Sequence, residues 1–299
     1  MNHALAALTL AVGLELAVGE PPRKAHPVAW LGRLVGLADR EWTRPRAAGL
    51  VVALALPALA AGAAAGAVAF AARLDPFAGI VAAGTVLFVS SSLRMLLETA
   101  REVSEASERD LASAREGLCA LAGRETDELS AGEVRSAAVE SAAENLADGL
   151  VAPLMAFCLL APLSLSLAAG GAAWVKAVNT LDSMLGYPGK PHGAASARLD
   201  DLAMWLPARA SGLVIALAAG RPRALFAARR WARVPPSPNS GWPMATLSVV
   251  LDVRLEKPGV YVLNGSRRLP TLGDARRGVR IVALAGVLSY SLAGVSLWL

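Results

Sequence analysis

Between Ala47 and Ala72 the chain runs without one charged residue. A helix needs about 20 predominantly apolar residues to cross the hydrocarbon core of a bilayer, so this run is long enough by itself. After the short break Arg73, Leu74, Asp75, Pro76, a second apolar run extends from Phe77 to Leu93. Together the two predict a transmembrane hairpin. Further apolar segments lie at 4–19, 150–173, 206–220 and 281–299. The expected fold class is therefore all-α: a polytopic helical membrane protein with roughly 4–6 membrane-embedded helices, forming a single integral membrane domain over 1–299.

Composition agrees with that reading. The sequence is 55% hydrophobic with 5% aromatic residues, and its mean hydropathy is +0.47. The net charge of +5 does not point to nucleic acid, because Lys and Arg are scattered between apolar segments rather than gathered in a run interleaved with aromatics. Basic loops between helices account for it through the positive-inside tendency. Cys119 and Cys158 have no metal-ligand spacing and are expected as buried, inert thiols. The segment 4–19 lacks a basic start and carries Glu15, which argues against a cleaved signal peptide.

Four polar blocks separate the apolar runs, at about Glu20–Arg46, Arg94–Gly149, Trp174–Arg209 and Arg221–Arg280. In the second, Leu93, Leu96, Leu97, Ala100, Val103 and Ala106 recur at helical spacing opposite charged residues, which predicts an amphipathic helix. Ser130 and Glu133 form a capping-box signature for a helix running toward Asp148, with Gly149 as its stop. The fourth block is rich in Pro and Gly and reads as ordered loop with a short hairpin near Val260–Val262. The segment 150–173 is interrupted by Pro153 and Pro162, and 206–220 is short and contains Arg209. Either the third block faces outward and the chain crosses back after Leu206, or both segments dip in and return. The favoured second arrangement leaves all four polar blocks on the cytoplasmic side.

Glu140, Glu144 and Asp148 step by four and should project from one helix face, with Asn145 on its flank. Like charges at that spacing repel by a few tenths of a kcal/mol each, which suits Mg²⁺ or a cationic group unless the face is simply solvated. Lys176 and Asn179 share a face beside Asp182 at the end of an apolar run, where ionisable groups are expensive unless paired or used. Pairing of Lys176 with Asp182 is the purely structural alternative there. Arg198, Asp200, Asp201 and Arg209 place both charge signs close together; Arg198 can pair with Asp201 within the helix, whereas Arg209 enters an apolar segment without an evident partner. An anionic ligand would supply one. Ser237–Pro243 reads as a rigid turn in which Asn239 and Gly241 accept left-handed geometry. His26 precedes Pro27 and so sits in extended backbone.

Taken in order, these motifs resemble the CobD/CbiB family of membrane-bound adenosylcobinamide-phosphate synthases of cobalamin biosynthesis. The resemblance rests on GEPPRKAHPVAWLGRL, AVESAAENLADGLVAPL, AVNTLDSMLGY, ARLDD to LPAR, SPNSGWP and LEKPGVYVLNG, which together cover nearly the whole chain. The sequence departs from the family pattern at Glu20, at His192 and at Met204, the last of which replaces a polar residue. The resemblance implies ATP-dependent amide ligation between a propionate of adenosylcobyric acid and (R)-1-aminopropan-2-ol or its O-phosphate. ATP and Mg²⁺ would be required and no prosthetic group. It also implies a multi-pass protein of the cell (inner, cytoplasmic) membrane that binds lipid and no nucleic acid, and that is compatible with a homo-oligomer or with association with other late cobalamin-pathway membrane enzymes.

Chemistry then assigns Glu140, Glu144, Asp182, Asp200 and Asp201 as catalytic candidates and Glu144, Asp148, Asp182 and Asp201 as the Mg²⁺ set. Lys176, Arg198 and Arg209 would hold phosphates, Asn145, Asn179 and Asn239 would orient carboxylate or amide, and His26 would contact substrate or act as a base. Two other readings use the same residues: a corrinoid transporter or flippase, and a membrane signalling relative similar to AmpE.

Overall fold

The computed structural model describes residues 2–22, 24–122, 126–187 and 189–299, so Arg23 of the first motif and Pro188 of the third polar block lie outside the described residues. In chain order the helices are α1 (His3–Ala17), α2 (Pro27–Ala38), α3 (Pro45–Leu74), α4 (Pro76–Ser90), α5 (Arg94–Arg109), α6 (Leu111–Ala122) and α7 (Ala131–Leu146). A π-helical turn, Ala147–Val151, leads into α8 (Ala152–Leu160) and α9 (Leu165–Leu185). A 3₁₀ turn at Pro191–Gly193 then precedes α10 (Ala194–Ala203), α11 (Trp205–Ala218), α12 (Ala224–Ala228) and α13 (Gly241–Leu251). The strands β1 (Leu255–Lys257) and β2 (Tyr261–Leu263) pair antiparallel before α14 (Leu272–Trp298) closes the chain.

Among the described residues four helical runs are long and apolar enough to cross a membrane: Pro45–Leu74, Pro76–Arg109, Ala131–Leu160 and Leu272–Trp298, with α10 and α11 a fifth if they count as one span. This is a polytopic helical architecture. On α3 the side chains of Leu50, Val51, Leu54, Leu59 and Phe70 are exposed, which is the natural state of a helix whose solvent is lipid.

The segment 150–173 is not one element. Its first part continues the α7 run to Leu160, and its second part opens α9, with Ala161–Ser164 outside both helices. Pro162 lies in that break, and Ser164 starts α9 as an N-cap whose hydroxyl accepts from the Leu167 N–H at 3.1 Å. Gly149 does not stop a helix either; it sits inside the π-helical turn. The fourth polar block carries α13 in addition to the expected hairpin. Pro243 is third in that helix, where a missing N–H breaks no intrahelical bond. Cys119 is exposed rather than buried, and its sulfur lies 3.1 Å from the Thr126 hydroxyl.

The chain divides into two compact units: Met1–Ser92, Asp148–Met204 and Tyr290–Leu299 form the first, and Leu93–Ala147 with Trp205–Ser289 the second. In the first unit α9 is the hub, packing on α2, α3, α4, α8 and α10. Small residues permit this. A Cβ at Gly170 would meet the Ala61 carbonyl at 3.1 Å, and Ala168, Ala169 and Ala172 beside it are fully buried. Val35 of α2 joins Leu181 and Leu185 of α9 in a cluster with Leu31, Val52, Leu56 and Met184. In the second unit α5, α6 and α7 share a core of Val103, Ala114, Leu118, Leu129, Val134, Ala137 and Ala138. The amphipathic α5 buries Leu96, Ala100 and Val103 as its spacing predicts, and the Ser130–Glu133 capping box opens α7.

Candidate functional site

Two polar clusters form, one in each unit. The first is built on the C-terminal half of α9, where Lys176, Asn179 and Asp182 follow at spacings of three and come round to neighbouring faces. α10 is brought against this end of α9 by a close backbone approach: a Cβ at Gly193 would collide with the carbonyl of Leu185. That approach sets Asp200 and Asp201 near Asp182, and the charge of Asp201 acts directly on Asp182. Asp148 enters from the π-helical turn, a rare geometry that recurs at functional sites because it re-aims side chains.

Asn179 is the common member, its side-chain amide lying close to both Asp148 and Asp200. Lys176 is paired electrostatically with Asp148 and Glu20, not with Asp182 as the structural alternative had it. Arg198 is exposed, and its charge acts on Asp201. Asp148, Lys176, Asn179 and Asp182 are half-buried, whereas Asp200 is only 8% exposed and its Oδ1 has no hydrogen-bond partner. The cluster is thus acidic, partly open, and incomplete in its hydrogen bonding.

His26 caps α2, its Nδ1 accepting from the Val28 N–H at 3.2 Å, which leaves the ring proton on Nε2. Burial holds the imidazole below its ordinary pKa; the charge of Glu20 opposes this and that of Lys176 adds to it. Glu20, whose charge bears on both Lys176 and His26, and Lys176 itself tie this residue to the cluster. Its Nδ1 is occupied, so His26 suits donation through Nε2 better than proton abstraction.

In the second unit Arg209 is not an unpartnered cation. Its guanidinium lies 4.2 Å from the Trp205 ring centre and 5.1 Å from that of Trp242, and Nη1 donates to the Asn239 side-chain oxygen at 3.2 Å and to the Trp205 carbonyl. Asn239 is buried, and neither it nor Gly241 adopts the expected left-handed geometry. Glycine is needed at 241 for space instead, because a Cβ there would collide with the Ala232 carbonyl. Glu140 is fully buried, accepting from Ser136 at 2.9 Å and from the Tyr261 hydroxyl at 2.8 Å. Ser136 also accepts from the Glu256 backbone N–H at 2.7 Å, so Glu140 helps pin the hairpin to α7. Glu144 is half-buried, and Asn145 bonds back to Ser141 of its own helix at 3.0 Å. The face expected to carry three aligned carboxylates is therefore regular only to Leu146, where the π-helical turn begins.

Among the described residues no group of three or more His, Cys, Asp or Glu side chains is placed to hold a metal ion. The four-carboxylate set of Glu144, Asp148, Asp182 and Asp201 is not assembled as such. A Mg²⁺ ion here would rest on one or two carboxylates and on the phosphates of a substrate, which is its usual habit in nucleotide sites.

Several polar residues escaped the sequence reading. Asp39 receives Lys190 Nζ at 2.6 Å and faces His192 Nε2 at 3.0 Å, closing the loop after α9 onto the end of α2. Lys190 and Arg46 line an open cavity of about 350 Å³ with Gly186 and Tyr187. Ser91 and Ser92 interrupt the helical run between α4 and α5, and neither hydroxyl has a hydrogen-bond partner although both oxygens are buried. Three successive serines closing an apolar run were the available signal. Met204 is fully buried against Ala152, Val175 and Trp174, so the polar residue it replaces in the family pattern has given way to packing.

The sequence matches the family described as CobD/Cbib protein over residues 8–291. Among similar proteins, cobalamin biosynthesis protein CobD of Geobacter metallireducens is 38% identical over 96% of this chain and 92% of its own length. Cobalamin biosynthesis protein CobD of Klebsiella pneumoniae subsp. pneumoniae is 36% identical over 96% and 95%. Cobalamin biosynthesis protein CbiB of Salmonella typhi is 36% identical over 90% and 86%. No solved structure matches.

Proposed function

The chain belongs to the CobD/CbiB family and so to cobalamin biosynthesis, and on that premise we propose that it is an ATP-dependent ligase. It joins the free propionate of adenosylcobyric acid to 1-aminopropan-2-ol or its O-phosphate as an amide. The observation that carries this reading is the gathering of Asp148, Lys176, Asn179, Asp182, Asp200 and Asp201 in one partly open cluster.

A carboxylate is a poor electrophile and does not condense with an amine unaided. Transfer of the ATP γ-phosphoryl group to the propionate gives an acyl phosphate and ADP. The amine nitrogen then attacks the acyl carbon, phosphate leaves with the bonding pair, and the nitrogen sheds a proton. Lys176 supplies positive charge against the phosphoryl oxygens, and Arg46 and Lys190 offer more at the cavity bordering Gly186. Asp200 or Asp182 accepts the proton from the amine. Asn179 holds the two carboxylates from Asp148 and Asp200 in register and can turn its amide toward substrate. His26, neutral at physiological pH, donates from Nε2. Mg²⁺, carried in with the nucleotide, would supply charge neutralisation on the phosphates, with Asp148 or Asp182 as its protein ligand.

We place the protein in the cytoplasmic membrane with its polar blocks facing the cytoplasm, where ATP is available. The test is direct. Purified protein in detergent, given adenosylcobyric acid, aminopropanol phosphate, ATP and Mg²⁺, is expected to yield amide and ADP in equal amounts. Absence of turnover together with corrinoid uptake into protein-containing liposomes would replace the ligase by a transporter.

A further inference from the structure

The first cluster is short of positive charge. Glu20 and Asp148 bear on Lys176, Asp182, Asp200 and Asp201 stand beside them, and the exposed Arg198 bears on Asp201. Three buried oxygens in the same unit also lack any hydrogen-bond partner: Asp200 Oδ1, Ser91 Oγ and Ser92 Oγ. Such groups are destabilising when left unmade, by about 1–3 kcal/mol each, and in a native fold they call for an explanation.

The serines belong to this cluster by a short path. Ser92 donates its backbone N–H to the Gly149 carbonyl at 2.8 Å, and a Cβ on Gly149 would stand 3.3 Å from the Ser92 carbonyl oxygen. Gly149 is the neighbour of Asp148, which Asn179 links to Asp200. Two helical interruptions, at Ser91–Ser92 and at the π-helical turn, thus meet beside the acidic cluster. Irregular backbone within apolar helical runs persists where it lines a polar cavity.

Resting on the ligase reading, we propose that Asp200 Oδ1 and the hydroxyls of Ser91 and Ser92 are the subsite for the primary ammonium of the amine substrate. A primary ammonium presents three N–H donors, which matches three unpartnered acceptor oxygens. Its charge offsets the local excess of carboxylates. A metal ion fits less well, since among the described residues no three carboxylates are placed to hold one. Bound in this way, the amine gives up its proton to Asp200 when it turns nucleophilic, and Lys176 is left for the anionic partner. Ser91 and Ser92 act as binding residues for the nitrogen.

Isothermal titration of the purified protein in detergent tests this without turnover, using 1-aminopropan-2-ol, its O-phosphate, and neutral propane-1,2-diol. Saturable binding of the amine, or of the amine and its O-phosphate, with none for the diol is expected. Ser91→Ala and Ser92→Ala should each weaken it about tenfold and Asp200→Asn more, as befits loss of one neutral and one charged hydrogen bond. Unchanged amine affinity in Ser91→Ala/Ser92→Ala overturns the proposal, as does equal competition by the diol or by inorganic phosphate. Protection of Ser91→Cys from a cationic thiol reagent by aminopropanol gives a second readout should Asp200→Asn fail to fold; absence of protection counts against the subsite. The two readings separate cleanly. An active wild type whose KM for the amine is unmoved by Ser91→Ala/Ser92→Ala retains the ligase and loses the subsite, whereas amine binding without amide formation retains the subsite and loses the ligase.

Discussion

Asn179 reaches the carboxyl groups of both Asp148 and Asp200, so one amide sits between residues contributed by the π-helical turn and by α10. An acid in its place would add a like charge between two others.

Asn179→Asp should therefore abolish amide formation, and Asn179→Ala should lower kcat by about 10²–10³, the range for loss of one preorganised polar group. Steady-state rates of ADP and amide release measure this. Rates near wild type in Asn179→Ala would remove it from the site.

Arg209→Lys should destabilise the second unit by about 1–2 kcal/mol although charge is conserved. A lysine cannot lie flat between Trp205 and Trp242 while bonding Asn239 and the Trp205 carbonyl. Thermal unfolding in detergent, followed by tryptophan fluorescence, would register a lower Tm and a changed emission.

His26 makes stability depend on pH. Its folded pKa is lowered by burial from an ordinary 6.5, so below pH 6.5 the unfolded chain binds a proton that the folded chain resists. Stability from this group is complete above pH 6.5 and is lost as pH falls through the lowered folded value. His26→Asn keeps a side-chain acceptor for the α2 cap and cannot titrate. Its unfolding midpoint should vary less with pH below 6.5 than that of the wild type.

Asp39 sets a second, more acidic window. The bond from Lys190 first and that from His192 next hold its pKa below 3.8. Its contribution is present above pH 3.8 and disappears as pH falls through the lower folded value. Asp39→Asn should loosen the Lys190–His192 loop at neutral pH, seen as faster amide hydrogen exchange over residues 189–193, and the difference from wild type should vanish in strong acid.

Much of this was legible in the sequence for physical reasons. A charge-free run has few alternatives to a membrane helix, so α3 and α4 were readable to within a few residues, and the Ser130–Glu133 box fixed the start of α7. The block on α9 and α10 stood out because ionisable residues adjoining apolar helix must be used or paired. Other features depend on contacts distant in sequence. Nothing local tells that Arg209 finds Trp242 and Asn239, or that Glu140 finds Tyr261. The π-helical turn at Asp148 was hidden because α-helical spacing continues through it on paper. α13 was hidden because Ser237–Pro243 reads as a turn, although Pro243 falls in the first turn of a helix, where it breaks nothing.

The length of α3 has a mechanical side. Its 30 residues extend about 45 Å at 1.5 Å per residue, against a hydrocarbon core of about 30 Å. Arg44 and Arg46 lie at one end and Arg73 at the other, so the helix meets a thin bilayer by tilting or by drawing lipid up around itself. α9 rides on α3, and a Cβ at Gly170 of α9 would stand 3.1 Å from the Ala61 carbonyl of α3, so there is little slack between them. Acyl-chain length should thus act on the distance of Lys176, Asn179 and Asp182 of α9 from Asp148 and Asp200 on other elements as surely as a substitution would, and turnover in vesicles of graded chain length should pass through an optimum.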